Sequence, residues 1–321
     1  MGGSGESKED GHIDAMQGLI VSLLAGSLWG TVPLVTKFAL QEVSPFEISF
    51  YRAFFAYLFL SSFFLVTGKS RFLIPKKESL PYIAILGFFG VGIFWTLINV
   101  GMVYTKAIHS AFLIAVYPAI VPLLAPFFLG EKTSAREYLG AIFAIGGTYL
   151  LISKGYWIPP LTVETIWGDL LSFLASLSFT AYLLLQRKWG SKFGYEYSTV
   201  NMMGFGIVFH LIIVFVVSSP LRLWHASPSA VGAVLWLGIG CSALPFLLVN
   251  KSLKSTRAAP TAISLIMSPL VGFFSCLLIL GETLTFSGIL GGILIVGGIL
   301  IAGVWAKRKK HQISKATNVQ N

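Results

Sequence analysis

Hydrophobic residues along this chain run in long uninterrupted blocks rather than alternating with polar ones. Ten blocks stand between short polar breaks, at 18–40, 45–66, 81–104, 107–129, 135–152, 166–185, 200–217, 229–249, 258–280 and 288–304. Each approaches the roughly 20 residues that an α-helix needs to cross a hydrocarbon core about 30 Å thick. Continuous runs point to helices, because the strands of a membrane barrel alternate in hydrophobicity every second residue. Lipid also forces each backbone group to find a partner within the chain, which a helix does by itself. Several breaks are only a few residues long, so consecutive helices are antiparallel neighbours. The pattern predicts an all-α integral membrane protein.

Composition agrees. Of 321 residues, 55% are hydrophobic and 11% charged, against about 25% charged in a soluble domain. The net charge of +10 does not point to nucleic acid, since the basic residues sit in short loops and at the C-terminus, where they act as an orientation signal. Of the 23 Lys and Arg, only Lys37, Arg52, Lys106, Lys154 and Arg222 fall on the side opposite the two termini. Both termini are therefore expected in the cytoplasm, and the protein in the cell membrane as a multi-pass chain. Cys241 and Cys276, the two cysteines, lie inside apolar runs and offer neither a disulfide framework nor metal-ligand spacing. Residues 1–17 are polar, acidic and Gly/Ser-rich, which predicts a disordered tail. They lack the positive start and short apolar core of a secretory signal.

The chain repeats itself. A shift of 151 residues aligns TKAIHSAFLIAVYP from Thr105 with TRAAPTAISLIMSP from Thr256, and brings Pro118 onto Pro269, Glu131 onto Glu282 and Gly147 onto Gly298. The same register pairs Gly87 with Gly238 and Asn99 with Asn250, and a shift of 150 pairs Ser22 with Ser172 and Lys37 with Arg187. Each half holds five blocks. Five is odd, so the second half must enter the membrane upside down relative to the first. Inverted repeats place a solute site near the midplane between the halves. The expected organisation is a tail at 1–17, a first repeat at 18–152, an inverted second repeat at 166–304 and a basic cytoplasmic tail at 305–321.

With Trp29, Gly30 and Lys37 in the first block, Arg52 in the second, and the twice-used T-x-A…P…L-G-E…G-G segment, the chain resembles the drug/metabolite transporter superfamily, in its ten-span EamA-type branch. The resemblance covers about residues 18–305. It implies a central cavity lined by spans 1, 3, 4, 6, 8 and 9, with spans 5 and 10 as peripheral supports. It says little about substrate, since relatives export amino acids, sugars, nucleotide-like metabolites or quaternary amines.

Certain side chains stand out against the apolar background. Asn99 and Asn250 are amides inside apolar helices, at equivalent positions of the two halves. They are read either as substrate hydrogen bonders or as bonds between helices. Arg52 is a turn or more inside its helix, where insertion costs about 2.5–3.5 kcal/mol, and Glu47 is its candidate partner. With Lys37, which is near enough to a helix end to snorkel, they are expected as a gate or charge pair ahead of substrate contact. Trp29, Trp95, Tyr117 and Tyr182, with Tyr104 and the Phe179 that matches Trp29, are aromatics on cavity-lining spans. They suit an amphipathic solute but are also ordinary packing residues. Pro118 and Pro269 are expected hinges, since proline removes a helical hydrogen bond. Glu131 and Glu282 are expected to cap the helix that follows each. His109 is placed toward an outer vestibule and His210 in mid-helix. The glycines of the fifth and tenth blocks suit close helix packing or a dimer seam.

No phosphate-cradling loop and no converging His, Asp or Glu cluster is present, so neither ATP hydrolysis nor enzyme catalysis is expected, and no cofactor or metal is implied. The leading expectation is a secondary transporter that moves a small amphipathic metabolite by alternating access, amino-acid-like first and a quaternary amine or nucleoside-like metabolite second. Proton coupling, efflux or uptake, and a monomer or homodimer all stay open. A channel would need a continuous polar lining, which the sparse polar positions do not supply.

Overall fold

The computed structural model describes residues 20–21, 23–130, 132–157, 165–217, 222–248 and 259–318. The predicted tail at 1–17 and two singled-out residues, Asn250 and Glu131, lie outside these. Among the described residues all regular structure is helical. In chain order the helices are α1 (Leu23–Ala39), α2 (Pro45–Val66), α3 (Lys77–Tyr104) and α4 (Ala107–Leu129), then α5 (Ala135–Ser153) and α6 (Ile166–Phe193). There follow α7 (Tyr195–Val216), α8 (Pro228–Leu248), α9 (Ala259–Ile279) and α10 (Phe286–Asn318). Six of them, α2, α3, α4, α6, α7 and α8, are long and apolar enough to cross a membrane by length and composition, and shorter apolar stretches lie in α1, α9 and α10. Large hydrophobic side chains such as Val66, Phe127, Ile142, Val216 and Leu278 face outward, a surface that lipid rather than water would cover. This is a multi-pass membrane protein.

Local chemistry sets the helix ends. Ser44 and Glu47 form a reciprocal capping box with Pro45 in the first turn of α2, and Ser134 with Glu137 does the same for α5. Gly130 ends α4 in the left-handed region at φ 66°, open to glycine without a Cβ penalty. Bounds for α2 and α4 match the hydrophobic pattern. By contrast, α6 continues through Arg187, Lys188 and Lys192 to Phe193, and α10 continues past 304 to Asn318, because a helix does not stop where hydrophobicity does.

Interior irregularities recur. In α4 the helix breaks after Ile114 and restarts at Tyr117, with Pro118 in the new first turn, the position where a missing N–H costs least. Its counterpart Pro269 sits inside an unbroken helix. α3 carries a π-helical stretch at Phe88–Ile93 and α8 one at Ile239–Ala243, each freeing backbone carbonyls from the usual ladder.

α5 and α10 pack on each other through glycines. A Cβ on Gly140 would meet the Gly298 carbonyl at 2.6 Å, and one on Gly147 the Gly291 carbonyl at 2.5 Å. Gly146 and Gly297 face open space. The seam joins two helices of one chain, so the glycines expected there serve internal packing. A large apolar core lies among α2, α3, α6, α7 and α8, and a smaller one among α4, α5, α9 and α10.

Candidate functional site

At mid-length of α1, α6 and α9 the helices leave a cavity. Its walls are Trp29, Gly30, Val32 and Pro33 of α1, Arg52 of α2, and Phe94, Trp95 and Ile98 of α3. Ala111, Ile114 and Tyr117 of α4, Phe179 of α6, Phe246 of α8 and Ser268 of α9 complete it. Its volume is about 50 Å³. That exceeds the roughly 10–15 Å³ that admits one water and falls short of the roughly 300 Å³ at which ligand clefts begin. α5 and α10 contribute no wall.

The walls are an aromatic belt. Trp29 meets Phe246 edge-on at 5.8 Å, Phe246 meets Tyr182 at 6.3 Å, and Tyr182 meets Phe179 at 5.3 Å. Phe179 in turn contacts Tyr117 at 4.9 Å and Phe94 at 4.7 Å. Three of these contacts are edge-to-face and two tilted; edge-to-face pairs at 4.5–7 Å add about 0.5–1.5 kcal/mol each beyond burial.

Among the described residues Arg52 is the one cation in the wall. It is 3% exposed, its Nε donates to Ser242 Oγ at 2.8 Å, and one Nη lies 3.5 Å from the Cys241 carbonyl. Both acceptors sit in the π-helical stretch of α8. The guanidinium lies 4.3 Å from the Trp95 ring centroid, within cation–π range. Its other Nη, Nη1, is buried with no hydrogen-bond partner among the described residues. A desolvated cation with a free donor beside a cavity suits an anionic group of a solute.

A second polar cluster lies nearer one end of the bundle, between α4 and α6. His109 Nδ1 is 3.1 Å from each oxygen of Asp169, and the Thr105 hydroxyl donates to the same carboxylate. Beside it, Ser110 and Ser172 share a hydrogen bond of 3.0 Å.

The structure separates several residues that spacing had grouped. Glu47 does not pair with Arg52. As N3 of its capping box it receives the Ser44 N–H and, across the bundle, the Arg222 N–H, and five residues along a helix is about 140° around its axis. Lys37 is apart from both and donates to the Met102 carbonyl at 2.7 Å. Asn99 lies between α3 and α2, donating to Ser49 at 2.8 Å, and is not in the cavity wall. Tyr182 packs behind the wall, and Tyr104 is exposed. His109 is buried rather than in a vestibule. Glu282 caps α4, not the following α10: it receives the N–H groups of Ala107 at 3.1 Å and Ile108 at 2.8 Å. Lys106 returns the contact by donating to the Thr283 carbonyl at 2.9 Å, a local role for the lysine at this turn.

Trp29, Trp95 and Tyr117 do meet at the cavity, as does Arg52. Sequence reasoning passed over Phe94, Phe246 and Ser268 as wall residues, and Asp169 altogether. The repeat held the missing signal for two of them: a shift of 151 carries Trp95 onto Phe246 and Tyr117 onto Ser268.

Comparison with known proteins follows the same lines. Residues 16–153 and 166–304 each match the profile of the EamA-like transporter family. An uncharacterized transporter of Archaeoglobus fulgidus is 24% identical over 286 residues, covering 89% of this chain and 95% of the relative. The uncharacterized transporter YdfC of Bacillus subtilis is 25% identical over 279 residues, covering 87% and 88%. A crystal structure superposes with a TM-score of 0.64 at 18% identity, over 91% of this chain and 98% of the other, which speaks for the fold.

Proposed function

The chain belongs to the EamA-like transporter family, and we propose that this membrane transporter is a secondary carrier of a small amphipathic, amino-acid-like metabolite, working by alternating access. The observation that carries the substrate class is Arg52 in an otherwise aromatic wall. Its free Nη1 suits a carboxylate, and the belt from Trp29 to Tyr117 suits an apolar or planar remainder. The belt alone also suits a nucleoside-like solute. A quaternary amine fits less well, because its charge would face a buried guanidinium.

Ten spans arranged as two inverted five-helix halves, with both termini in the cytoplasm, belong to the same reading. Support comes from reciprocity in the glycine seam. Gly140 meets Gly298 and Gly147 meets Gly291, and the shift of 151 carries Gly140 onto Gly291 and Gly147 onto Gly298. Each contact is therefore the image of the other, as across a two-fold axis. The π-helical stretches at Phe88 and Ile239 begin one such shift apart. A cavity of this size holds a whole metabolite only when its walls part, which alternating access requires in any case.

The test is a thermal-shift screen of metabolites on purified protein, since a ligand that binds the folded state raises the melting temperature, followed by counterflow in proteoliposomes. Saturable uptake stimulated by internal amino acid is the expected result. Flux that neither saturates nor exchanges would make it a channel, and a shift with nucleosides alone would replace the substrate class.

A further inference from the structure

Resting on that carrier reading, we propose that His109 and Asp169 form a proton-binding site that must hold a single dissociable proton for the seam between α4 and α6 to close, so that solute movement is coupled to protons.

The site is built and enclosed. Asp169 is fully buried and His109 is 4% exposed. The imidazole spans both carboxylate oxygens at 3.1 Å, and the Thr105 hydroxyl fixes one of them. The backbones beside it nearly touch: a Cβ on Gly168 would fall 2.5 Å from the Gly101 carbonyl and 2.6 Å from the Thr105 nitrogen. Water therefore reaches the pair only when α6 parts from α3 and α4.

Charge decides which state can be enclosed. Carboxylate with neutral imidazole leaves a buried negative charge, and a carboxylic acid with imidazolium leaves a positive one; both are strongly disfavoured without a partner. One dissociable proton makes the pair neutral, whichever atom carries it. The charged groups on the surrounding elements are occupied elsewhere. Lys106 on the α3–α4 turn donates to Thr283, Glu282 after α9 caps α4, and Lys37 of α1 donates to Met102. Of the other titratable groups, Tyr104 ends α3 as an exposed residue, Lys154 closes α5, and His210 of α7 lies against Trp95 at the cavity level. None of them makes an ion pair with Asp169 among the described residues.

Two further observations separate this pair from a structural staple. The internal symmetry that duplicates the glycine seam and the π-helical stretches does not duplicate it, since the equivalent positions hold Pro260 and Leu19. The Ser110–Ser172 hydroxyl pair, beside His109 on α4 and three residues beyond Asp169 on α6, extends the polar seam toward Ala111 in the cavity wall.

The test uses full-length protein in proteoliposomes loaded with a mixture of amino acids and given a pH gradient. Wild type is expected to accumulate labelled amino acid above the equal-pH control and to move protons with it. D169N, which leaves a neutral imidazole beside an amide and needs no proton to be enclosed, is expected to fall to the control level in accumulation while keeping counterflow at equal pH, which also shows that it is folded. H109Q keeps a carboxyl that must still be protonated to be enclosed and is expected to stay coupled. Gradient-driven accumulation that survives in D169N overturns the proposal, and so does exchange in wild type with no response to the gradient, which leaves the carrier reading standing. If no amino acid exchanges at all, the substrate reading fails, and the proton site is then decided without substrate. Counting the protons bound by the purified protein with a pH indicator, at the pH of the transport assay, should find one more in wild type than in the H109Q/D169N double variant, and an equal count overturns the proposal.

Discussion

Arg52 is held by two acceptors and a ring, and what it leaves free matters most. Ser242, the Cys241 carbonyl and Trp95 fix the guanidinium, while Nη1 remains available to a solute. A hydrogen bond to a charged group contributes about 1.5–3 kcal/mol, so Arg52→Gln should lower amino-acid counterflow by about ten- to hundredfold. Arg52→Lys should fall between, because an ammonium keeps the charge but loses the planar fork. Equal flux in all three proteins would remove Arg52 from recognition. A different carboxylate sets acid sensitivity. Glu42, in the turn between α1 and α2, accepts from the Ser227 hydroxyl and the Ser227 N–H at the start of α8. These bonds, the hydroxyl's first, hold its pKa below the usual carboxylate value. A depressed folded-state pKa means that the contribution to stability is present above the unfolded value of about 4.3 and is lost as pH falls through the lower folded one. Melting in detergent should therefore drop less between pH 6 and pH 3 in Glu42→Gln than in wild type. At this scale the sequence exposed what was odd against apolar neighbours, such as Arg52 and Trp95. It hid what depends on the opposite half. Asp169 sits four residues after Thr165 at a helix start, where an acid is ordinary, and its partner His109 is 60 residues away. Glu47 misled for the converse reason: nearness along the chain suggested a pairing that helical rotation forbids.

Between whole helices, the α5–α10 seam shows how small residues substitute for a hydrophobic driving force that lipid does not supply. Gly147→Ala and Gly298→Ala would each push a methyl to 2.5 Å or less from a facing carbonyl, with no flexible side chain to yield. Each should cost about 1–3 kcal/mol, read as a lower melting temperature. Gly146→Ala and Gly297→Ala meet nothing within 4 Å and should leave stability unchanged or raise it by up to about 1 kcal/mol through helix propensity. If all four behaved alike, the seam would not be where these contacts put it. Helix positions were legible because lipid demands long apolar runs, and α2 and α4 lie where the pattern put them. The break at Ile114–Tyr117 was foreshadowed by Pro118, yet Pro269 leaves α9 continuous, so proline alone does not decide a kink; neighbours that re-satisfy the backbone do. The π-helical stretches had no such signal, as Gly87, Gly90 and Gly92 also suit plain close packing against Phe205, Tyr182 and Phe209.

Across the whole molecule, the two halves are tied at one end by side chains reaching backbone of the other half. Glu42 reaches Ser227, Glu47 reaches the Arg222 N–H, and Glu282 reaches the start of α4. In the proposed inverted arrangement all of these fall on the side opposite the termini, where Lys and Arg are also scarce. It follows that equivalent turns of the two halves face opposite solutions: the turn after α2, holding the exposed Lys69, should be cytoplasmic, and the turn after α7, holding the exposed Trp224, should be external. The chain suits the measurement, because its two cysteines, Cys241 and Cys276, are buried and can be replaced before a single new one is introduced. With a membrane-impermeant thiol reagent on intact cells, Trp224→Cys should label directly and Lys69→Cys only after permeabilisation. Labelling of both from outside would mean that the halves insert in the same sense. The reciprocal glycine contacts would then lose their two-fold explanation, and a cavity walled by both halves could no longer open to each side of the membrane in turn by exchanging their roles.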